Sequence, residues 1–179
     1  MQRPAHTVLR AVLVTAVLGV ASAPTTGRTE PVVGVEARSE LAFADVPAPA
    51  PALGATFGYA LDTYPLLLVP ELAVSGAWYP TLDGAASLRA MAGARVGLTT
   101  LVEPALFVHA GYGARLGNVD GNGNVDVDVH GAAVDAGLAV DKRLGRDLTL
   151  GGAVGYQGLV AGAGSLHAVA LAFRATFWL

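Results

Sequence analysis

The densest set of side chains able to bind a metal ion lies in the acidic segment DGNGNVDVD, residues 120–128. Its oxygen-bearing residues stand at alternate places: Asp120, Asn122, Asn124, Asp126 and Asp128. An EF-hand calcium loop also needs glycine at its sixth place and glutamate at its twelfth. Val125 and Gly131 stand there instead. The segment is therefore a weak calcium candidate, and an acidic surface loop without a metal is the simpler interpretation.

A second candidate for chemistry is the pair Ser165 and His167. Two residues apart, they would lie on one face of a β-strand. A serine nucleophile needs a base, and the base needs a group that orients it. No carboxylate shares that face, so the sequence predicts no catalytic residues and a protein that is not an enzyme.

The composition narrows the class of protein. Apolar residues make up 53% of the chain and charged residues only 14%, against about 25% charged in soluble domains. The net charge is −3, and Lys142 is the single lysine, which excludes a basic nucleic-acid-binding surface. Cysteine is absent, and the glycines of GNVDGNG lack the Gly-Lys-Ser/Thr of a phosphate loop. We expect no cofactor and no nucleic-acid partner.

The N-terminus has the layout of a secretory signal. A basic start with Arg3 and Arg10 precedes the apolar run AVLVTAVLGV and then the small residues Ala21-Ser22-Ala23. The sequence predicts a signal peptide over 1–23, cleaved after Ala21 or Ala23, and a short N-terminal segment over 24–31. The alternative, an uncleaved anchor, would need a longer apolar run.

Any catalytic or binding residues in the remainder would be positioned by β-strands. Apolar residues recur there with a period of two, and 23 glycines in the chain disfavour long helices. The pattern predicts eight strands of 11 to 13 residues, long enough to cross a bilayer when tilted. They cover 33–43, 53–63, 69–79, 88–98, 105–115, 132–142, 148–158 and 167–179.

The two faces of these predicted strands differ in charge. One phase is apolar, as in Val33, Val35, Ala37, Leu41 and Phe43. The other phase also carries Asp62, His109 and Gln157, and its predicted luminal charge network consists of Glu36, Arg38, Glu40, Glu71, Arg89, Arg95, Arg115, Asp135, Asp141 and Arg174.

Two architectures could separate charge from apolar residues in this way. A soluble sandwich or lipocalin-like barrel would turn the apolar phase inward, whereas a membrane barrel turns it toward lipid. Five arginines nearly balance the carboxylates, and arginine suits buried bidentate pairing. We therefore predict an all-β fold: an eight-stranded antiparallel up-and-down transmembrane β-barrel over 32–179.

The predicted connections and aromatic residues agree with that topology. Connections after strands two, four and six are short, and the others are mostly longer, as in ADVPAPAPA. Short periplasmic turns with longer outer loops place both termini in the periplasm. Aromatic residues near strand ends suggest interfacial girdles: Phe43, Tyr64, Trp78, Tyr79 and Trp178.

This pattern resembles the small eight-stranded outer-membrane barrels of the OmpA-like transmembrane class. The last strand, HAVALAFRATFWL, is similar to that class's C-terminal insertion signal, although it ends in Leu179 rather than phenylalanine. The resemblance implies a porin-like integral protein of the Gram-negative outer membrane, in contact with membrane lipid and lipopolysaccharide. It also implies insertion by the barrel-assembly machinery.

The function expected is a structural or surface-interacting envelope barrel without a wide pore, and its specific activity and extracellular ligand are unknown. Two alternatives remain open. One is an outer-membrane lipid A-modifying hydrolase using Ser165 and His167; the other is a narrow, low-conductance channel.

Overall fold

The computed structural model describes residues 28–43, 47–82, 84–119, 125–161 and 164–179. All regular structure in these ranges is β-strand. The described residues contain no helix that could span a membrane. The predicted signal peptide lies outside the described residues. The strands are β1 (Arg28–Phe43), β2 (Ala48–Thr63), β3 (Leu66–Tyr79), β4 (Ala85–Leu98), β5 (Glu103–Val119), β6 (Val125–Leu144), β7 (Leu148–Ala161) and β8 (Gly164–Trp178).

The eight strands close into one antiparallel barrel in sequence order. Closure is made by β1 and β8, whose ladder runs from Val32↔Trp178 to Phe43↔His167. Closing the sheet pairs both edges, so no strand edge remains open along this ladder. The predicted eight-stranded up-and-down barrel is confirmed.

The strands are longer than predicted, mostly at one end of the barrel, which we call the upper end. Connections 44–47, 80–84, 120–124 and 162–163 lie there, and 64–65, 99–102 and 145–147 lie at the lower end. The upper connections have two to five residues and the lower ones two to four, so the contrast in loop length is much smaller than expected. Much of what was taken for upper loop is strand, because β5 has 17 residues and β6 has 20.

The start of β2 illustrates why strand length was underestimated. Pro49 and Pro51 lie within β2, although proline normally disfavours a strand. The ladder with β1 continues to Ala48, whereas the ladder with β3 ends at Ala52. Residues 48–51 therefore form ladder hydrogen bonds with β1 but not with β3, like a strand at the edge of a sheet. Proline, which has no amide hydrogen, is tolerated in such a position.

Candidate functional site: the charged lumen and the outer face

The upper part of the lumen is occupied by one connected group, the upper cluster, formed by Glu40, Tyr79, Arg89 and Gln157. Arg89 donates from Nη1 to Oε1 of Glu40 at 3.0 Å and from Nη2 to Oε2 at 3.3 Å. The Tyr79 hydroxyl donates to Glu40 Oε2 at 2.6 Å, and Arg89 also donates to the amide oxygen of Gln157. All four side chains are buried. Four different strands are thus tied together across the lumen.

The middle of the lumen holds a second group, the central cluster: Glu36, Arg38, Glu71, Arg95, His109, Asp135, Asp141 and Arg174. On one side, Arg38 donates from Nε to Glu36 at 2.6 Å and from Nη1 to Asp135 at 3.2 Å. The His109 ring bridges two carboxylates, with Nε2 3.0 Å from Glu71 and Nδ1 3.9 Å from Asp135.

On the other side of the central cluster, Arg95 donates from Nη1 to Asp141 at 3.0 Å and lies 4.0 Å from Glu71. Arg174 lies 3.7 Å from Glu36 and 3.8 Å from Asp141. Each of these three carboxylates therefore contacts more than one basic side chain. Such sharing compensates buried charge, which would otherwise carry a large desolvation cost.

A third group closes the lower end of the lumen. Glu103 Oε1 lies 3.6 Å from Arg143 Nε, and the Arg143 guanidinium lies 3.9 Å from the centre of the Trp178 ring. Trp178 Nε1 donates to Thr149 Oγ1 at 2.9 Å. Glu103 and Arg143 were not predicted to face the lumen, because both lie at strand ends where the alternation is hard to assign.

These groups leave little free space inside the barrel. One interior cavity, between Arg95, Glu103, Asp141 and Trp178, has a volume of about 10 Å³. Another, between Arg38, Phe107, Asp135 and Gln157, also measures about 10 Å³. A volume of this size holds about one water molecule.

The outer face of the barrel is apolar, in contrast to the charged lumen. Leu53, Leu106, Leu171 and Phe173 are each more than 60% exposed, and they belong to a continuous apolar surface around the barrel. Among the strand residues whose side chains are described, Lys142 is the only charged residue on this face. Soluble proteins rarely expose so large an apolar surface to water, whereas a transmembrane barrel has an apolar surface of this kind facing lipid.

Comparison with known proteins agrees with this geometry. No family model and no curated protein matches the sequence. Among solved structures, Neisserial surface protein A (NspA) is similar with a TM-score of 0.67 and 12% identity, covering 85% of this chain and 99% of that one. Ail of Yersinia pestis, in complex with the heparin analogue sucrose octasulfate, gives a TM-score of 0.56 and 10% identity, covering 85% and 99%.

The chain has the fold of the small eight-stranded outer-membrane β-barrels. At these identities the likeness establishes the fold and not a shared activity. In this eight-stranded barrel the phase assignment made from the sequence holds for every strand, with the apolar phase outward. The soluble alternative, with the apolar phase inside, was wrong.

The structure brings together most of the predicted luminal charges. Nine of them form the contacts given above: Glu36, Arg38, Glu40, Glu71, Arg89, Arg95, Asp135, Asp141 and Arg174. Arg115 lies on the same phase of β5, nearer the upper end. Partner choice could not be predicted because it depends on the register of strands far apart in sequence.

Two of the predicted girdle aromatics do not face lipid. Tyr79 is fully buried in the upper cluster, and Trp178 packs inside the lower end. Both follow an outward residue at the end of a strand, so proximity to a strand end was a misleading signal. Phe43, Tyr64 and Trp78 are exposed on the outer side, as predicted.

The structure describes only part of the calcium candidate. Asp120, Asn122 and Asn124 lie outside the described residues. Asp126 and Asp128 belong to the backbone of β6, so strand structure covers the second half of the acidic segment. In the described part of the chain, no three His, Asp or Glu side chains are arranged to hold a metal ion.

Ser165 and His167 both lie on the outer face near the upper end of β8. The Nδ1 atom of His167 is hydrogen-bonded to the hydroxyl of Tyr156, and the two rings stack with centroids 5.9 Å apart. A phenol therefore occupies the ring nitrogen that a carboxylate would need in a Ser–His–acid arrangement.

Proposed function

We propose that this protein is an integral outer-membrane barrel of the structural or surface-interacting type, without a wide pore and without catalytic activity. Both termini would lie in the periplasm, and the upper end would face the exterior. The supporting observation is the division of charge: three groups of ionised side chains inside, against Lys142 alone on the described outer face.

The filled lumen argues against a channel. A permeating ion would have to part Arg89 from Glu40 and then pass the central cluster, where Arg95 and Asp141 are 3.0 Å apart. Eight-stranded barrels have just enough interior for their own side chains, and the two cavities of about 10 Å³ agree with that limit.

The outer face argues against a hydrolase. Ser165 and His167 share a face, but Tyr156 holds the imidazole. A phenol cannot stabilise an imidazolium as a carboxylate does, so the pair lacks the electrostatic support of a serine hydrolase.

Charge at the upper end also bears on what the surface could bind. Ail was solved with a polyanionic heparin analogue. In this chain the upper connections contain Asp45, Asp83 and Asp120 and no lysine or arginine. We therefore expect no binding of such a polyanion, because like charges repel.

Three measurements test the proposal. Cell fractionation should recover the protein in the outer membrane, and its migration in detergent gels should change on boiling. A cysteine replacing Asn122 should react with an impermeant reagent on whole cells, and one replacing Gly145 only after the outer membrane is opened. Planar bilayers should show no stable conductance. A soluble periplasmic protein, the reverse labelling or a reproducible open channel would each contradict the corresponding part.

A further inference from the structure

Two matching tyrosine–histidine pairs interrupt the apolar outer face. Tyr112 on β5 is hydrogen-bonded through its hydroxyl to Nδ1 of His130 on β6, with ring centroids 5.9 Å apart. Tyr156 on β7 is bonded in the same way to Nδ1 of His167 on β8, also with centroids 5.9 Å apart. Neither pair belongs to the lumen.

The two pairs also have the same relation to the barrel. Ala114, two residues above Tyr112, is the ladder partner of His130, and Gly158, two residues above Tyr156, is the partner of His167. In each hairpin the imidazole therefore lies one pleat nearer the upper end than the phenol. This repetition at the same relative position indicates a common environment.

The height of the pairs can be worked out from the strand positions. Tyr112 lies nine residues after Glu103 and Tyr156 eight residues after Leu148, the first residues of β5 and β7. Tilted strands rise roughly 2.5 Å per residue along the membrane normal, so both phenols lie roughly 20 to 23 Å above the lower end. The apolar band of such barrels is about 25 Å tall. Taking the first residues of β5 and β7 as the lower edge of this band, the imidazoles, one pleat higher, fall at the level of the upper headgroups.

The hydrogen bonding leaves one donor in each pair. When the phenol donates to Nδ1, a neutral ring carries its hydrogen on Nε2, which is available outside the pair. A polar N–H at the edge of the hydrocarbon is costly without an acceptor. Ser165, on the same face two residues from His167, adds a hydroxyl beside the second pair.

Apolar depressions adjoin both pairs on the outer face. One, of about 650 Å³, is bordered by Tyr112 and has a floor of small residues that includes Gly54, Ala55 and Ala90. The other, of about 760 Å³, begins at Val154, next below Tyr156 on the outer face of β7, and reaches Leu171 and Phe173. On β5 the first depression extends from Tyr112 to Ala114, at the level of its own pair, whereas the second lies below its pair. A ligand suited to both features has anionic oxygens that reach the imidazoles and acyl chains that lie in the adjoining depressions.

We propose that the Tyr112–His130 and Tyr156–His167 pairs bind the phosphate-bearing headgroup of lipid A, through Nε2–H donors to phosphate oxygens. This inference rests on the proposed outer-membrane location with the upper end outward. Charge-assisted hydrogen bonds to phosphate are stronger than neutral ones, and each imidazole should contribute about a tenfold increase in affinity.

The test is native mass spectrometry of the full barrel refolded in detergent micelles, titrated with bisphosphorylated lipid A and with dephosphorylated lipid A. EDTA is present throughout, so that cation bridging through the acidic segment 120–128 does not contribute. The wild type should prefer the phosphorylated lipid by about tenfold or more. His130→Phe with His167→Phe keeps an aromatic ring at each position, removes both donors and should abolish the preference.

Tyr59→Phe, an outward tyrosine near the lower end, is the matched control and should retain the wild-type preference. If the phenylalanine variant fails to show heat-modifiable migration, His130→Leu with His167→Leu replaces it; it also removes both donors and should abolish the preference. Equal binding of the two lipids by the wild type, or an undiminished preference in the folded histidine variant, would overturn the inference. Heat modifiability of the refolded samples, and outer-membrane fractionation of the same proteins expressed in cells, separate that failure from a failure of the proposed function.

Discussion

Removing Arg89 is the sharpest perturbation of the luminal network. Its guanidinium makes two hydrogen bonds to Glu40, at 3.0 and 3.3 Å, and a third to Gln157. Arg89→Met leaves the Glu40 carboxylate, which is 1% exposed, with the Tyr79 hydroxyl as its remaining contact in this cluster. An uncompensated buried charge costs about 3 to 5 kcal/mol, and we expect the upper half of that range because Glu40 has no second arginine in the cluster.

The assay is reversible urea unfolding in detergent micelles, followed by tryptophan fluorescence and by gel migration. Glu40→Gln in the Arg89→Met background removes the charge and should recover about 2 kcal/mol or more, since the two sites are directly coupled. Arg146→Ala, at an exposed arginine of the β6–β7 turn, is the control and should change stability by less than about 0.5 kcal/mol. A loss below about 1 kcal/mol for Arg89→Met, or strictly additive effects in the double variant, would refute the assignment of a buried ion pair.

Three further predictions use the same unfolding assay. Arg95→Ala should cost about 3 kcal/mol, the lower end of the range for a broken buried pair, because its carboxylate partners keep other basic neighbours; a silent variant would contradict the luminal placement. Leu138→Arg on the lipid-facing side should cost about 2 to 4 kcal/mol and Leu138→Val less than about 1.5 kcal/mol, whereas equal effects would argue against lipid contact. Gly93→Ala should cost about 1 to 3 kcal/mol, because its methyl would lie 2.0 Å from the Val108 carbonyl oxygen, whereas Gly152→Ala, 3.5 Å from its nearest neighbour, should be tolerated.

The inside–outside assignment was predictable because it depends only on the two-residue period of a strand. Glu36, Arg38 and Glu40 occur in one phase of β1, and no shift of strand boundaries changes which face they share. Their partners were not predictable. Arg38 contacts Asp135 from a strand on the other side of the barrel, and such a contact is fixed by closure and register.

The start of β2 was predicted five residues too late for a local reason. The segment before Leu53 alternates alanine and proline, and its interior positions, such as Ala48 and Ala50, are small rather than charged. Small residues fit the narrow lumen but give no periodic contrast in hydropathy. Tyr79 and Trp178 were predicted to be girdle residues because they lie near strand ends, although the two-residue period places both on the inward phase.

We expect the apolar phase of every strand to face lipid and the charged phase to fill the interior. The chain has two tryptophans, Trp78 on the outer face and Trp178 inside, so two single-tryptophan proteins, Trp178→Phe and Trp78→Phe, report on the two sides. A third protein carries Leu138→Trp in a background where both are phenylalanine. Fluorescence quenching by brominated phospholipids in reconstituted vesicles should be strong for Trp78 and for position 138, and weak for Trp178. Strong quenching of Trp178 together with protection of position 138 would contradict the account.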